Sequence, residues 1–174
     1  PNPEIDNLYG TSVAAVPDVN GDGVGDVVVG APMDSPGTSP SGCGRAYLYS
    51  GATGQLLFKL LPPNPELSGQ FGFSVAGLQD INGDGLGDIA VGAPEERTGV
   101  GMEDSGRVHI YSGATGQRIR TIVSQTPSSS GYFGYSLAVI SDLNGDGKND
   151  LVIGARKERA DKGGQVHIVS PATG

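Results

Sequence analysis

The sequence predicts an all-β protein made of repeated units of short antiparallel strands, and three observations carry that prediction. The 174-residue chain contains 30 Gly and 12 Pro but no Trp, a composition typical of short elements joined by turns. A nine-residue acidic motif occurs three times at a fixed interval. The apolar runs around each copy, such as V-V-V-G and L-V-I-G, are short and rich in Val and Ile, which favours strands over helices.

The repeated motif reads D-V-N-G-D-G-V-G-D, D-I-N-G-D-G-L-G-D and D-L-N-G-D-G-K-N-D, and each copy begins 62 residues after the last. Calcium takes six to eight oxygen ligands, and glycines let a short loop bend around the ion. The motif therefore predicts three calcium loops, with ligands from the side chains at positions 1, 3, 5 and 9 and the backbone carbonyl at position 7. These residues are Asp18, Asn20, Asp22, Val24 and Asp26; Asp80, Asn82, Asp84, Leu86 and Asp88; and Asp142, Asn144, Asp146, Lys148 and Asp150.

Two other interpretations of the motif are weaker. Asn-Gly and Asp-Gly between apolar runs are a strong hairpin signal, but a hairpin alone gives no reason for acids at positions 1 and 9. An EF-hand requires a bidentate Glu at position 12, where this chain has Val29, Val91 or Ile153. The motif is therefore predicted to join two strands.

The charge and the cysteine content narrow the class of protein. The formal net charge is −8, and the three loops supply nine of the 19 acidic residues, so the acidity is mostly a metal requirement and argues against nucleic acid as a partner. Cys43 is the single cysteine, which excludes an intrachain disulfide and is expected to be inert. No apolar run is long enough to cross a membrane. Because the sequence starts at Pro1 without Met, we expect a mature or excised piece, which is compatible with the removal of a leader.

The repeat extends beyond the calcium loops and divides the chain into three units. Each unit has a short strand, the calcium loop, a second strand ending in Gly-Ala, a variable loop and a third strand; a fourth strand follows the turn G-A-T-G in the first two units. Four short antiparallel strands make a β-propeller blade. The predicted blades are 1–62, 63–124 and 125–174, the last without its outermost strand, and together they form one partial propeller domain.

The residues of the repeat resemble the FG-GAP family, whose members include integrin α-subunit propellers. The pattern is Phe-Gly, then D-x-N-x-D-G-x-x-D, then Gly-Ala-Pro, and it covers the whole chain three times. The resemblance implies that the calcium loops lie on the lower side of the propeller and that the fifteen residues above hold three Ca²⁺ ions. It also implies protein ligands on the opposite face. Tyr9 replaces the first Phe, and Arg156 replaces the third Pro, which puts in doubt only the geometry of that strand end.

The number of blades raises the question of closure, because propellers typically close with four to eight blades. Three blades leave an apolar face bare at each end, a larger exposed patch than soluble monomers usually carry. Either the chain is a fragment of a longer propeller, or two copies close into a six-bladed ring as a homodimer.

Several residues resemble catalytic groups but are expected to be structural. Ser12, Ser74 and Ser136 lie in sequences similar to a nucleophile elbow, yet they repeat at strand starts, where no helix follows. His109 and His167 occupy matching places in third strands, which favours cross-strand packing. Carboxylates that hold calcium are ionised and unsuited to act as acids. We predict no catalytic residues and no enzymatic activity.

These observations predict a calcium-binding propeller module that mediates protein–protein interaction or adhesion outside the cytoplasm, as an extracellular, cell-surface or periplasmic protein. The partner is a protein or glycan that the sequence does not name. The variable loops 33–44, 95–106 and 157–164 are expected to contact it, because binding is usually placed on loops held by a rigid scaffold. The alternatives are a carbohydrate-binding propeller and a scaffold domain of a larger secreted enzyme.

Overall fold

The computed structural model describes residues 7–35, 37, 40–159, 161 and 163–174, and these contain eleven strands. Blade 1 consists of β1 (Ser12–Val16), β2 (Asp26–Ala31), β3 (Arg45–Tyr49) and β4 (Leu56–Leu60). Blade 2 consists of β5 (Ser74–Leu78), β6 (Asp88–Ala93), β7 (Arg107–Ser112) and β8 (Arg118–Ile122). Blade 3 consists of β9 (Phe133–Ile140), β10 (Asp150–Ala155) and β11 (Gln165–Val169). The described residues include no helix with the length and apolar character needed to span a bilayer.

Each blade is one antiparallel sheet in which the strands follow chain order. Blades 1 and 2 have four strands, and blade 3 has three in the described part of the chain. In blade 1, Ser12 pairs with Gly30 and Val16 with Asp26, so the first acidic loop closes a hairpin with β1 and β2 as its arms. The same register recurs in blade 2, where Ser74 pairs with Gly92. The all-β propeller architecture predicted from the sequence is confirmed as three blades in an open arc.

Successive side chains of a strand point to opposite faces of its sheet. Each blade can therefore pack an apolar face against each neighbouring blade, and the core lies between the blades. Blade 2 is the middle layer, and all six residues of β6 are buried. Between blades 1 and 2 the buried residues include Val28, Leu48 and Val91. Between blades 2 and 3 they include Ile110 and Ile153. Burial of both faces explains why these strands are almost continuously apolar.

The Phe-Gly dipeptides join successive blades. Phe71 opens blade 2, is fully buried, and donates its backbone N–H to Cys43 O of blade 1 at 3.0 Å. It forms a parallel bridge with Gly44, where a Cβ atom would lie 2.1 Å from the Phe71 carbonyl oxygen. Phe133 makes the equivalent contact between blades 2 and 3, with its N–H on Ser105 O at 2.9 Å. The dipeptide therefore sets the spacing of the blades.

The two outer faces of the arc carry exposed apolar side chains. Val13 on blade 1 is 62% exposed, whereas its equivalent Val75 in blade 2 is 8% exposed. On blade 3, Val166 is 69% exposed and Ile168 is 56% exposed, whereas Val108 at the first of these positions in blade 2 is buried. The same positions are thus buried wherever a neighbouring blade covers them.

Arg156, the departure from the Gly-Ala-Pro pattern, directly follows β10. The pairing of β10 with β9 shifts register between Gly154 and Ala155, so an irregularity lies at the strand end where the sequence placed one. The side chain of Arg156 is exposed and lies against aromatic rings.

Candidate metal centre

The three acidic loops occupy the same end of the three blades, each between the first and second strand. Their glycines lie in the left-handed region of backbone space, with φ of 80° at Gly21 and 82° at Gly23 in the first loop. A Cβ at either position would meet no atom within 4 Å. The backbone conformation, and not lack of space, is what requires glycine there.

The carboxylate at position 1 closes each loop on itself. Asp18 Oδ1 accepts hydrogen bonds from the N–H groups of Asn20 at 3.0 Å and Gly21 at 2.7 Å, and its Oδ2 accepts one from Gly23 at 2.8 Å. Asp80 and Asp142 repeat the arrangement in the other loops. The hydrogen bond from Gly23 is the main reason that the pKa of Asp18 lies below its ordinary value. This carboxylate is therefore ionised at neutral pH.

The side chains at positions 3 and 5 continue the pattern. Asn20 Oδ1 accepts from the N–H of Asp22 at 3.0 Å, and Asp22 Oδ1 accepts from the N–H of Val24 at 2.8 Å. Such bonds from a side chain to the backbone two residues later are typical of turn-forming Asp and Asn. These hydrogen bonds hold the oxygen-bearing side chains at positions 1, 3 and 5 within one short loop.

The carboxylate at position 9 is the buried member of the set. Asp26, Asp88 and Asp150 are 1%, 0% and 2% exposed. In each, Oδ2 accepts a hydrogen bond of 2.8 Å from the backbone N–H of the residue after position 1. Burial raises the pKa of Asp88 above its ordinary value despite hydrogen bonds from the N–H groups of Ile81 and Gly113. A cation at this point would offset that desolvation.

A serine at the end of each third strand reaches the calcium loop, and the sequence reasoning missed it. Ser50 Oγ lies 3.4 Å from Asp22 Oδ2, Ser112 Oγ lies 3.3 Å from Asp84 Oδ2, and Ser170 Oγ lies 2.7 Å from Asp146 Oδ2. The hydrogen bond from Ser170 is the largest cause of a lowered pKa at Asp146. The available signal was the Ser that ends each third-strand sequence, immediately before Gly-Ala-Thr-Gly in the first two repeats and Pro-Ala-Thr-Gly in the third.

Blades 1 and 2 also use the residue after this serine. The N–H of Gly51 donates to Asp26 Oδ1 at 2.9 Å, and the N–H of Gly113 donates to Asp88 Oδ1 at 3.2 Å. In blade 3 the equivalent residue is Pro171, which has no N–H. There the side-chain amide of Asn144 donates to Asp150 Oδ1 instead, at 3.2 Å.

The loops also contact one another across the blades. The N–H of Gly87 in the second loop donates to Asp18 O in the first, at 2.9 Å. Between the second and third loops, Gln79 Nε2 donates to Gly147 O at 3.2 Å, and Lys148 Nζ donates to Asp80 O. The side chain of Lys148 therefore has a structural role, in addition to the carbonyl ligand predicted at this position.

The donor set of each loop fits a hard divalent cation, because three carboxylates, one amide and one carbonyl are all oxygen donors. Each carboxylate oxygen has two lone pairs, so an amide hydrogen bond leaves capacity for a metal. No group of three or more His, Cys, Asp or Glu side chains in the described part of the chain is drawn together as around a metal. The ligand roles of the fifteen predicted residues therefore stay a prediction.

Comparison with known proteins identifies the repeat. A model of the FG-GAP repeat family matches residues 9–49, 71–111 and 133–169. The chain belongs to the FG-GAP repeat family. Relatives of this FG-GAP chain include integrin alpha-4 of Xenopus laevis, 36% identical over 162 residues, and integrin alpha-2 of Bos taurus, 39% identical over 163 residues. Integrin alpha-PS5 of Drosophila melanogaster is 37% identical over 155 residues. The alignments cover 87% of this chain and only 13 to 15% of the relatives, so the chain spans a small part of their length.

Two of the strand serines of the FG-GAP chain join successive blades. Ser12 Oγ donates to Gly72 O at 2.9 Å, and Ser74 Oγ donates to Gly134 O at 2.6 Å. Ser136 Oγ is the atom that a Cβ at Gly154 would meet, at 2.3 Å, so it packs against the facing strand. These contacts confirm the structural role predicted for the three serines.

The strand histidines pack across strands as predicted and also hold a buried acid. His109 is fully buried, with Nδ1 2.9 Å from Thr121 Oγ1 on β8 and Nε2 2.8 Å from Glu96 Oε2. His167 contacts Glu158 in the same way in blade 3. In blade 1 the Tyr47 hydroxyl donates to Asp34.

Sequence reasoning missed the three buried acids, Asp34, Glu96 and Glu158, which are 3%, 1% and 3% exposed. Each lies three residues after the Ala that ends the second strand, and this constant offset was the available signal. They fix the start of each variable loop to the third strand. Cys43, in the first of these loops, is fully buried, and burial raises the pKa of its thiol, which agrees with the inert role predicted for it.

Proposed function

We propose that this FG-GAP chain is a calcium-binding extracellular module that mediates protein–protein interaction or adhesion and has no catalytic role. The observation that carries the proposal is the threefold repetition of one loop geometry, in which the position-1 carboxylate accepts the same loop amides each time. Homology to integrin alpha chains supports an interaction module.

Calcium would contribute positive charge to a loop that carries three carboxylates. The protein's own residues arrange those carboxylates beforehand: the loop amides orient positions 1, 3 and 5, and the third-strand serine approaches position 5. Ligand binding to the folded chain alone stabilises it by mass action. Loops without a bidentate Glu at position 12 are expected to be weak sites, with dissociation constants on the order of 10⁻⁴ to 10⁻³ M. Such sites fill at millimolar calcium, which supports a secreted, cell-surface or periplasmic location.

A homodimer that completes a six-bladed ring is the second part of the proposal. The outer face of blade 1 is equivalent to the blade 2 face that packs on blade 1, since Val13 and Val75 occupy the same register. The outer face of blade 3 is likewise equivalent to the blade 2 face that packs on blade 3, through Val166 and Val108. Blade 3 of one copy therefore presents to blade 1 of a second copy the kind of surface that blade 2 presents to blade 3 within this chain.

Two experiments test the proposal. Thermal unfolding with calcium and with EDTA should show stabilisation by calcium but not by equal ionic strength of sodium chloride, and equal melting temperatures would contradict metal binding. Binding of the whole chain to a panel of extracellular matrix proteins and to a glycan array should give calcium-dependent signal on proteins. Signal on glycans alone would instead support a carbohydrate-binding propeller.

Light scattering after size exclusion, in millimolar calcium, tests the ring. A mass of twice the 17.6 kDa chain supports the homodimer, and a mass equal to one chain rejects it.

A further inference from the structure

Arg156 lies on the variable-loop end of blade 3, where blades 1 and 2 have Pro32 and Pro94. Its guanidinium carbon is 4.3 Å from the centre of the Tyr132 ring and 4.4 Å from the centre of the Tyr135 ring. Lys157 follows, with Nζ 5.5 Å from the Tyr132 ring centre. A cation this close to an aromatic face is attracted by the ring electrons. The replacement of Pro by Arg thus places a cation against two aromatic rings at a position where blades 1 and 2 have an uncharged side chain.

Ring packing and backbone hydrogen bonds hold the aromatic rings beneath these cations in place. The Tyr135 ring packs on Phe73 of blade 2 with a centroid separation of 4.7 Å. The N–H of Tyr132 donates to Asp104 O at 2.9 Å, and the N–H of Lys157 donates to Gly131 O at 3.2 Å. We call the surface formed by Phe73, Tyr132, Tyr135, Arg156 and Lys157 the cationic shelf. A preorganised surface loses little conformational entropy on binding.

The charges of the shelf have no ion-pair partner among the described residues. The described Arg side chains that form ion pairs do so elsewhere: Arg45 with Asp34, Arg97 with Glu103, Arg107 with Glu66 and Glu96, and Arg159 with Asp161. Glu158, next to Lys157 in sequence, points inward to His167. Both shelf cations are exposed, in a chain whose formal net charge is −8.

We propose that the cationic shelf binds a carboxylate side chain in an acidic peptide segment of a partner protein. The planar guanidinium of Arg156 suits bidentate contact with a carboxylate, and the ammonium of Lys157 adds a second positive charge. An apolar side chain beside the acid would pack on Phe73 and Tyr135. This inference rests on the proposed function, in which the variable-loop face is the partner surface, and it specifies the partner's chemistry.

The surroundings of the shelf favour a single acidic segment over a long polyanion such as a sulfated glycan. Glu95 lies close enough that Arg156 and Asp104 both affect the pKa of its carboxyl, although burial is the largest cause of its raised value. Asp104 also contacts Tyr132 through its carbonyl. Acids this near the cations would repel a chain with many negative charges, which favours a partner segment with one or two carboxylates.

The test is a fluorescence anisotropy titration in millimolar calcium with a labelled peptide that carries two Asp beside a Phe. Arg156→Gln removes the charge, and Arg156→Pro restores the residue of the other blades. Arg118→Gln, on the outer strand of blade 2, makes the same charge change away from the shelf. Because each Arg156 variant removes a charge-assisted hydrogen bond to the carboxylate, it should weaken binding on the order of tenfold or more. Arg118→Gln should bind the acidic peptide as tightly as the wild-type chain does. A peptide with Asn in place of Asp should not bind.

Each other outcome overturns the proposal. No binding of the acidic peptide to the wild-type chain, or equal binding by all variants, removes the shelf as its site. Equal loss in Arg118→Gln reveals an effect of net charge alone, and tighter binding of a heparin oligosaccharide through Arg156 assigns the shelf to a polyanion. The matrix-protein panel separates this proposal from the function beneath it: calcium-dependent binding that ignores Arg156→Gln refutes the shelf and keeps the interaction module.

Discussion

Replacing Asp84 by Ala removes the position-5 carboxylate of the second loop, and the structure allows its effects with and without calcium to be separated. Without calcium, the side chain loses hydrogen bonds from the N–H of Leu86 at 2.9 Å, from Asn82 Nδ2 at 2.9 Å and from Ser112 Oγ at 3.3 Å. The Leu86 and Asn82 donors are exposed, so water replaces the lost partner. The metal-free cost should be less than about 1 kcal/mol.

In calcium the loss is larger because the site itself disappears. A site with a dissociation constant of 10⁻⁴ to 10⁻³ M stabilises the fold by about 1.4 to 2.7 kcal/mol at about 10 mM free calcium. For a chain of this size that corresponds to a fall of about 3 to 10 °C in melting temperature. The measurement is thermal unfolding followed by circular dichroism, in calcium and in EDTA.

Asp88→Asn, at position 9 of the same loop, provides a contrast, because Asp88 is fully buried and accepts from the N–H groups of Ile81 and Gly113. An amide keeps the shape but presents only one acceptor oxygen, which leaves one buried N–H without a partner. That cost, about 1 to 3 kcal/mol, should already be present in EDTA, unlike the small metal-free cost of Asp84→Ala, and the loss of a position-9 ligand should add to it in calcium. If Asp84→Ala lowered the melting temperature equally in both conditions, its role as a calcium ligand would be refuted.

Three further substitutions or treatments test the fold. Gly44→Ala places a Cβ 2.1 Å from Phe71 O at a φ of 86°, so it should destabilise by well over the roughly 1 to 2 kcal/mol expected for Gly21→Ala, which has open space; urea unfolding compares the two. Phe133→Ala should cost about 3 to 5 kcal/mol in the same assay, because the ring is fully buried between blades, and a loss below about 1 kcal/mol would contradict that packing. Cys43 should react with a thiol reagent only after unfolding, because it is buried and its thiol pKa is raised; rapid reaction of the native chain would contradict the inert role.

The order of the strands could be predicted from the sequence because the repeat states it three times. A single copy of V-V-V-G-A is compatible with a buried helix or a strand, but three copies, each between an Asp-Gly loop and a variable loop, leave only a blade. The local sequence pattern was therefore sufficient to predict the strands and their grouping into blades.

The constant offset of the three acids in the repeat marks their positions but does not predict that they are buried, because a charged residue in a loop is ordinarily exposed. Glu96 is buried because His109, thirteen residues later on β7, lies 2.8 Å away, and that distance depends on where the strand begins. The same holds for Arg156, whose aromatic neighbours precede it by more than twenty residues in the chain. Contacts of this kind arise from the packing of elements, which periodicity does not report.

The third repeat shows how such contacts compensate for changes in sequence. Pro171 removes a backbone donor from Asp150, and the side chain of Asn144 supplies another at 3.2 Å. In blade 2, the N–H of Gly87 donates to Asp18 O of the preceding loop. Asn149 is the equivalent residue in blade 3, where the side chain of Lys148 instead donates to Asp80 O. Both replacements restore a hydrogen bond that the fold uses in the other blades. Arg156 restores nothing, since Pro32 and Pro94 make no comparable cation–aromatic contact and its charge has no ion-pair partner among the described residues. Arg156 thus adds a contact surface without replacing a hydrogen bond lost elsewhere in the repeat. Such a substitution is expected where one repeat has a binding role.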